Sequence, residues 1–323
     1  MSTEALRSVV QGGTDAVIAT SAGPPPRSGG GRRRRSTIRR TIGTGAWYVG
    51  VLLVTVVTVM PLLWTLATSF KPGSEILSNY LELLPDEATL DNYRAVFDAT
   101  PFARYLVNSF IIAFGGTVTN VVLGSMAGYA LAKLRFRGRK VAVGLILGSM
   151  MVPAVVTMVP TFLILRFFPL AGGNDVLGQG GTGFINSYAA VLIPFAAGPF
   201  ALFFMRQFFL SLPDELGEAA RIDGASEARI FWQIYLPLAL PGAAVLGILT
   251  FQAGWNSFLW PLIVLNDPQM MTVQVGLSSF INEYETAYGP LMAGTVLATV
   301  PVLLVFVYAQ RHIVQGFATS GVK

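Results

Sequence analysis

The chain has 323 residues, of which 53% are hydrophobic and only 12% charged, and its formal net charge is +5. A soluble domain of this size could hardly cover so apolar a composition with polar surface, so a membrane protein is expected. The absence of cysteine excludes a disulfide, a thiolate metal site and a cysteine nucleophile, but leaves the compartment open.

Residues 1–45 differ from the rest. Pro24-Pro25-Pro26, Gly29-Gly30-Gly31 and the arginines Arg32 to Arg35, Arg39 and Arg40 show no apolar period, which predicts a disordered basic tail. Nucleic-acid binding and twin-arginine export are the other uses of such a block. Against export, the apolar run that follows far exceeds the roughly 7–15 residues of a signal-peptide core. Contact with anionic lipid headgroups accounts for the arginines, at roughly 1 kcal/mol per basic residue near the surface.

A transmembrane helix needs about 20 predominantly apolar residues. Six segments qualify: 46–70, 106–131, 141–165, 187–210, 242–265 and 290–308. The expected fold is all-α, with six spans making one membrane domain over residues 46–313 and a short tail over 314–323. No acid or base lies in the middle of a span, which weighs against a proton-driven carrier. The pairs Gly124/Gly128 and Gly144/Gly148 have the small-xxx-small spacing that brings helices close. Of 22 Lys and Arg residues, 18 fall in the N-terminal tail, the loop 132–140, the region around residues 206–229 and the C-terminal tail. The positive-inside rule then places both termini in the cytoplasm of a cell membrane. The glycine-rich stretch 172–183 lacks a Gly-Lys pair, so it reads as an external connector rather than a phosphate loop. His312, the only histidine, has no neighbour with which to bind a metal or share a proton.

Residues 211–241 form a polar island between two spans. Five acids (Asp214, Glu215, Glu218, Asp223, Glu227) and two arginines (Arg221, Arg229) exclude membrane burial. Order is nonetheless expected. Pro213, Asp214 and Glu215 suit a helix start, and Leu212, Leu216, Ala219 and Ala220 share one face. Gly224 suits a left-handed stop and Ser226 an N-cap, after which Pro237 and Pro241 would bend the chain back to the membrane.

The island runs Glu218-Ala219-Ala220, three residues, Gly224, nine residues, Ile234, one residue, Leu236-Pro237. This spacing resembles the EAA loop of ABC importer permeases. So do Ser69-Phe70-Lys71, Asn92-Tyr93, Asn108-Ser109, Gly128-Tyr129-Ala130-Leu131-Ala132 leading into Phe136-Arg137-Gly138, Trp255-Asn256-Ser257-Phe258-Leu259-Trp260-Pro261-Leu262 and Gln310-Arg311-His312-Ile313-Val314-Gln315-Gly316. Together they make the chain similar to the carbohydrate-uptake class, as in the smaller membrane subunit of the maltose transporter. The resemblance implies that Glu218, Ala219, Ala220, Gly224, Ile234, Leu236 and Pro237 form a cytoplasmic coupling helix seated on an ATPase. It also implies a tail contact through Gln315 and Gly316. The partners implied are a second homologous permease, a dimer of ABC ATPases that binds the ATP and magnesium, and an extracytoplasmic solute-binding protein. This chain itself would hold no cofactor and catalyse no reaction.

Gln252, Trp255, Asn256 and Trp260 are candidate groups for the substrate path, because amides bond sugar hydroxyls and indoles cover sugar faces. Helix-to-helix bonding by Asn256 and an interfacial aromatic belt explain the same residues more simply. The substrate expected from the resemblance is a maltose- or trehalose-like sugar, with a glycerol phosphate-type solute as the alternative. An ATPase-independent carrier and a membrane enzyme are the readings from other classes.

Overall fold

The computed structural model describes residues 30–78, 82–281 and 286–320. Residues 1–60 and 61–323 form two compact units. The first contains most of α1 (Gly30–Thr68), which starts inside the stretch expected to be a disordered tail; residues 1–29 of that tail lie outside the described residues. Arginine is a good helix former, and lengthening an existing helix avoids the cost of nucleation. Side chains 47–60 are exposed. The hydroxyls of Thr55 and Thr58 donate to the carbonyls of Val51 and Val54, so neither needs water.

The second unit is helical. Among its described residues the sole strand-like feature is one antiparallel bridge, Ile281 to Thr286. Two short helices, α2 (Gly73–Ser78) and α3 (Asp91–Ala99), precede the long α4 (Phe102–Lys133). There follow α5 (Arg139–Met150), α6 (Ala154–Arg166), α7 (Tyr188–Leu192), α8 (Pro199–Leu210), α9 (Glu215–Ile222), α10 (Glu227–Ile230) and α11 (Leu236–Trp255). The chain closes with α12 (Leu259–Val264), α13 (Val273–Ser278) and α14 (Tyr288–Ser320).

Four helical stretches are long and apolar enough to cross a membrane, and two bent pairs raise the count to six. Three expected spans need correcting in shape. Segment 141–165 is two helices, α5 and α6, at 103°. Pro153 imposes the break, since it disfavours helix at the residue before it. Segment 187–210 bends by 43° between Phe195 and Pro199. Segment 242–265 begins earlier and ends earlier: helix continues from Glu227 to Trp255, and α12 is separate. Pro237 and Pro241 therefore do not turn the chain. A π turn at Phe231–Tyr235, closed by the Leu236 N–H on the Phe231 carbonyl, carries α10 into α11, and Pro237 sits in the first turn of α11, where an N–H is dispensable. Likewise α14 extends through residues 314–320, expected as a tail.

Helix α4 is the central post, packed against α8 and α11. Gly128 makes the first contact possible: a Cβ there would lie 2.7 Å from the Met205 Cβ and 2.8 Å from the Arg206 nitrogen. Gly144 and Gly148 have nothing within 4 Å, so the second small-residue pair packs no helix among the described residues, and α5 buries no side chain. At the end of the second unit where α4 begins, the Asn92 amide donates to the carbonyls of Ser69 (3.0 Å) and Lys71 (2.8 Å). The Lys71 ammonium donates to the Glu82 carbonyl. One turn into α4, Asn108 donates to the carbonyls of Gln269 and Met271, and Ser109 accepts the Val273 N–H.

Candidate functional site

The polar island is folded into an elbow at the far end of α4. Helix α8 ends at Leu210, and Pro213 precedes α9, whose first turn carries Glu215 and Glu218 at the positive end of the dipole. Asp214 occupies the N-cap position but does not cap. Its carboxylate accepts instead from the Lys133 ammonium at 2.5 Å, and the same ammonium donates to the Leu212 carbonyl at 2.6 Å. Lys133 is 4% exposed and Asp214 76%, so a buried cation is held by a carboxylate at the surface. The Lys133 bond and charge hold the Asp214 carboxyl below the usual aspartate range.

Helix α9 stops as the glycine predicts. Gly224 has φ +79°, its N–H donates to the Arg221 carbonyl, and the Ala225 N–H donates to the Ala220 carbonyl. This is the Schellman pattern. Ser226 caps α10 by accepting the Arg229 N–H. Arg221 then closes the elbow on Glu227, with Nε to Oε1 at 2.6 Å, and the carboxylate raises the guanidinium pKa.

Helix α4 braces both arms. Lys133 grips the start of α9, and one turn earlier the Tyr129 hydroxyl donates to Glu227 Oε2 at 2.9 Å. Tyr235 completes the brace: its hydroxyl donates to the Pro213 carbonyl at 3.0 Å, and Lys133 lies 5.1 Å over its ring. Beneath the elbow Tyr129, Met205, Phe209, Ala220, Ile230, Phe231 and Tyr235 form one buried cluster. Gly217 is buried because a Cβ there would meet the Tyr235 hydroxyl at 2.9 Å.

The shared apolar face expected of Leu212, Leu216, Ala219 and Ala220 is therefore corrected. Ala220 and Gly217 face the bundle, Leu212 is half-buried, and Leu216 and Ala219 face outward with Ile222, which is 87% exposed. The expected coupling residues divide in the same way. Glu218, Ala219, Gly224 and Pro237 are exposed, whereas Ala220 is buried and Ile234 and Leu236 pack against the cluster. The Glu218 carboxylate makes no hydrogen bond or ion pair among the described residues. Lys133, Gly217, Glu227 and Tyr235 were missed as brace residues. The available signal was the four-residue spacing of Tyr129 and Lys133, which sets both on one helix face. Gln315 and Gly316 lie in α14, far along the helix from its buried start.

The four candidate path residues are not brought together. Trp255 is buried, stacks on Phe251 and donates its indole N–H to the Ala298 carbonyl at 3.1 Å. Trp260 is buried and donates to the Ala190 carbonyl at 3.1 Å. Gln252 and Asn256 are exposed. Trp260 does edge a cavity of about 320 Å³ between α4, α8 and α11, walled mostly by apolar groups, with Asn120, Thr250 and Ser257 as polar members. The Asn120 amide is committed to backbone: it donates to the Phe195 carbonyl and accepts the Gly198 N–H, spanning the bend before α8. Among the described residues no cluster of acids or histidines could hold a metal ion.

Residues 120–319, from the middle of α4 through the elbow to α14, match the family described as binding-protein-dependent transport system inner membrane component. The chain belongs to this family. It is 36% identical over 278 residues to the arabinooligosaccharides transport system permease protein AraQ of Halalkalibacterium halodurans, covering 85% of this chain and 95% of that protein. It is 35% identical over 264 residues to the diacetylchitobiose uptake system permease protein NgcG of Streptomyces coelicolor, covering 81% and 83%. A chain of a bacterial ABC transporter involved in alginate import has the same fold, with TM-score 0.70 and 24% identity over 90% of this chain and 99% of that one. As an ABC importer permease, the chain is a membrane transport subunit and not an enzyme.

Proposed function

We propose that this permease forms half of the pathway of an ATP-driven importer for a disaccharide or oligosaccharide, with the α9–α10 elbow as the piece that receives force from an ATPase. The observation that carries this reading is the division of α9 into two faces. Gly217 and Ala220 are cemented to the bundle, while the side chains of Glu218, Ala219 and Ile222 point outward, and that of Glu218 has no partner among the described residues. A rigid lever with a bare, partly apolar outer face suits a docking joint; a free surface helix would need neither the buried lysine nor the Schellman stop. Glu218 would meet a basic group of the ATPase, and residues 315–316 at the end of α14 would make a second contact.

The partners proposed are a second homologous permease, two ATPase subunits that bind ATP and magnesium, and an extracytoplasmic solute-binding protein. The elbow and both termini would face the cytoplasm. Loop 71–105, with six acids against three bases, would face the binding protein. The sugar class is supported by what the relatives are named for, arabinooligosaccharides and diacetylchitobiose. The committed indoles of Trp255 and Trp260 leave Gln252 and Asn256 as the exposed polar groups of the four path candidates, with the Asn256 amide oxygen accepting from Gln274 at 3.5 Å.

The test is reconstitution in proteoliposomes with the partner subunits. Glu218→Lys is expected to insert normally yet lose substrate-stimulated ATP hydrolysis and uptake. Wild-type uptake by this variant would remove the elbow from the coupling path. Competition of uptake by unlabelled disaccharides, and not by glycerol phosphate, is the result expected for the sugar class.

A further inference from the structure

The turn between α4 and α5 carries a second feature that the elbow does not use. Within eight residues it holds Lys133, Arg135, Arg137, Arg139 and Lys140. Two of these cations are spent on the protein. Lys133 grips the elbow, and the Arg139 guanidinium donates to the carbonyls of Ala132 (2.9 Å) and Leu134 (3.3 Å), pinning the end of α4. The side chains of Arg135, Arg137 and Lys140 are exposed and make no hydrogen bond or ion pair among the described residues, though the Arg135 charge is felt at Asp214.

Arg135, Arg139 and Lys140 line a shallow groove of about 390 Å³, with Phe136, Gly138 and Val141 as its other walls. The groove opens onto an apolar strip rather than onto more polar surface. Phe136 is 47% exposed, Val141 66% and Leu145 70%; α5 leans on α8 with Ala142, Val143 and Ile146 half-buried, and leaves Val141 and Leu145 bare. A cationic hollow at the head of an exposed apolar helix matches an anionic amphiphile, with the charge in the groove and the chains along α5. Free phosphate would have no use for the strip, and an acidic peptide no use for its depth along a membrane span.

We propose that the α4–α5 turn is a binding site for the headgroup of an anionic phospholipid. Arg135 and Lys140 supply the charge, Arg139 shapes the groove from its fixed position, and Val141 and Leu145 meet the acyl chains. The attraction is expected to be electrostatic and therefore weakened by salt.

The test uses the full-length chain, purified in detergent with whatever subunits accompany it, and native mass spectrometry of added lipid. Phosphatidylglycerol should be retained in preference to phosphatidylcholine. Arg135→Gln with Lys140→Gln should lower that retention roughly thirtyfold, taking both charges together. Arg135→Lys with Lys140→Arg should keep it, and Arg104→Gln, at the opposite end of α4, should leave it unchanged. Equal retention of the two lipids, or undiminished phosphatidylglycerol on the double glutamine variant, would overturn the site. Displacement by millimolar inorganic phosphate to the same extent with either lipid would also overturn it, by showing an ion site. The readout is lipid, not transport, so a negative result leaves the importer reading standing.

Discussion

Gly128 and Gly224 are glycines for different reasons, and each predicts a different failure. At Gly128 the neighbour is backbone, the Arg206 nitrogen at 2.8 Å from an added Cβ, which cannot yield by rotating a side chain. Gly128→Val is expected to force α4 and α8 apart at a cost of about 1–3 kcal/mol, read as a lower unfolding temperature in detergent. Gly224 has open space around it, so Gly224→Ala meets only the left-handed backbone, at about 1–2 kcal/mol. Gly224→Pro adds loss of the N–H that closes the Schellman turn, and should uncouple ATP hydrolysis while leaving the protein in the membrane. Equal thermal stability of the alanine variant and the parent would show that the elbow does not need its tight turn.

The Lys133–Asp214 pair gives a pH dependence of known sign. Asp214 has a folded pKa below its unfolded value, so its contribution is complete above the unfolded pKa and is lost as pH falls through the folded one. The pair is thus fully formed at neutral pH and weakens only below about pH 4. Asp214→Asn should lower the unfolding temperature at pH 7, and the difference from the parent should shrink towards pH 3. A difference independent of pH would mean that the ion pair holds nothing.

At the scale of elements, the elbow works because the end of α4, remote in sequence, meets the α9–α10 turn and the π segment that leads into α11. Each contributes one polar anchor, from Lys133, Glu227 and Tyr235. Tyr129→Phe removes the bond to Glu227 but keeps the ring in its aromatic cluster. It should therefore loosen α10 without unfolding the bundle, at about 1 kcal/mol, detectable as faster amide exchange over residues 227–230 than in the parent. Unchanged exchange there would assign the stiffness of the elbow to packing alone.

At the scale of the whole molecule, sidedness is the property to measure. Single cysteines introduced into this cysteine-free chain at Ser74 and Ser226 lie at exposed positions. The first should react with an impermeant thiol reagent added to intact cells, the second only after the membrane is opened. Labelling at Ser226 in intact cells would reverse the orientation and take the elbow away from any cytoplasmic ATPase.

Membership of the importer permeases was legible in the residues themselves. Apolar runs of span length, the basic residues gathered in alternate loops and the Glu218 to Pro237 spacing are all local, and local patterns survive without coordinates. So are the turn chemistries, since only glycine takes φ +79° at position 224 without strain and a serine before α10 can cap it. What the linear pattern could not decide was which side of each element faces what. A hydropathy window reads 141–165 as one span because Met150 to Val152 remain apolar through a 103° break. It reads Leu216 and Ala220 as one face because helical spacing does not say which neighbour arrives. Tertiary contact made that choice: Tyr235 came close enough to admit only a glycine at 217, Ala220 followed it inward, and Leu216 turned out to the surface. Lys133, one of many basic residues in the sequence, became the anchor of the elbow because α4 ends where α9 begins.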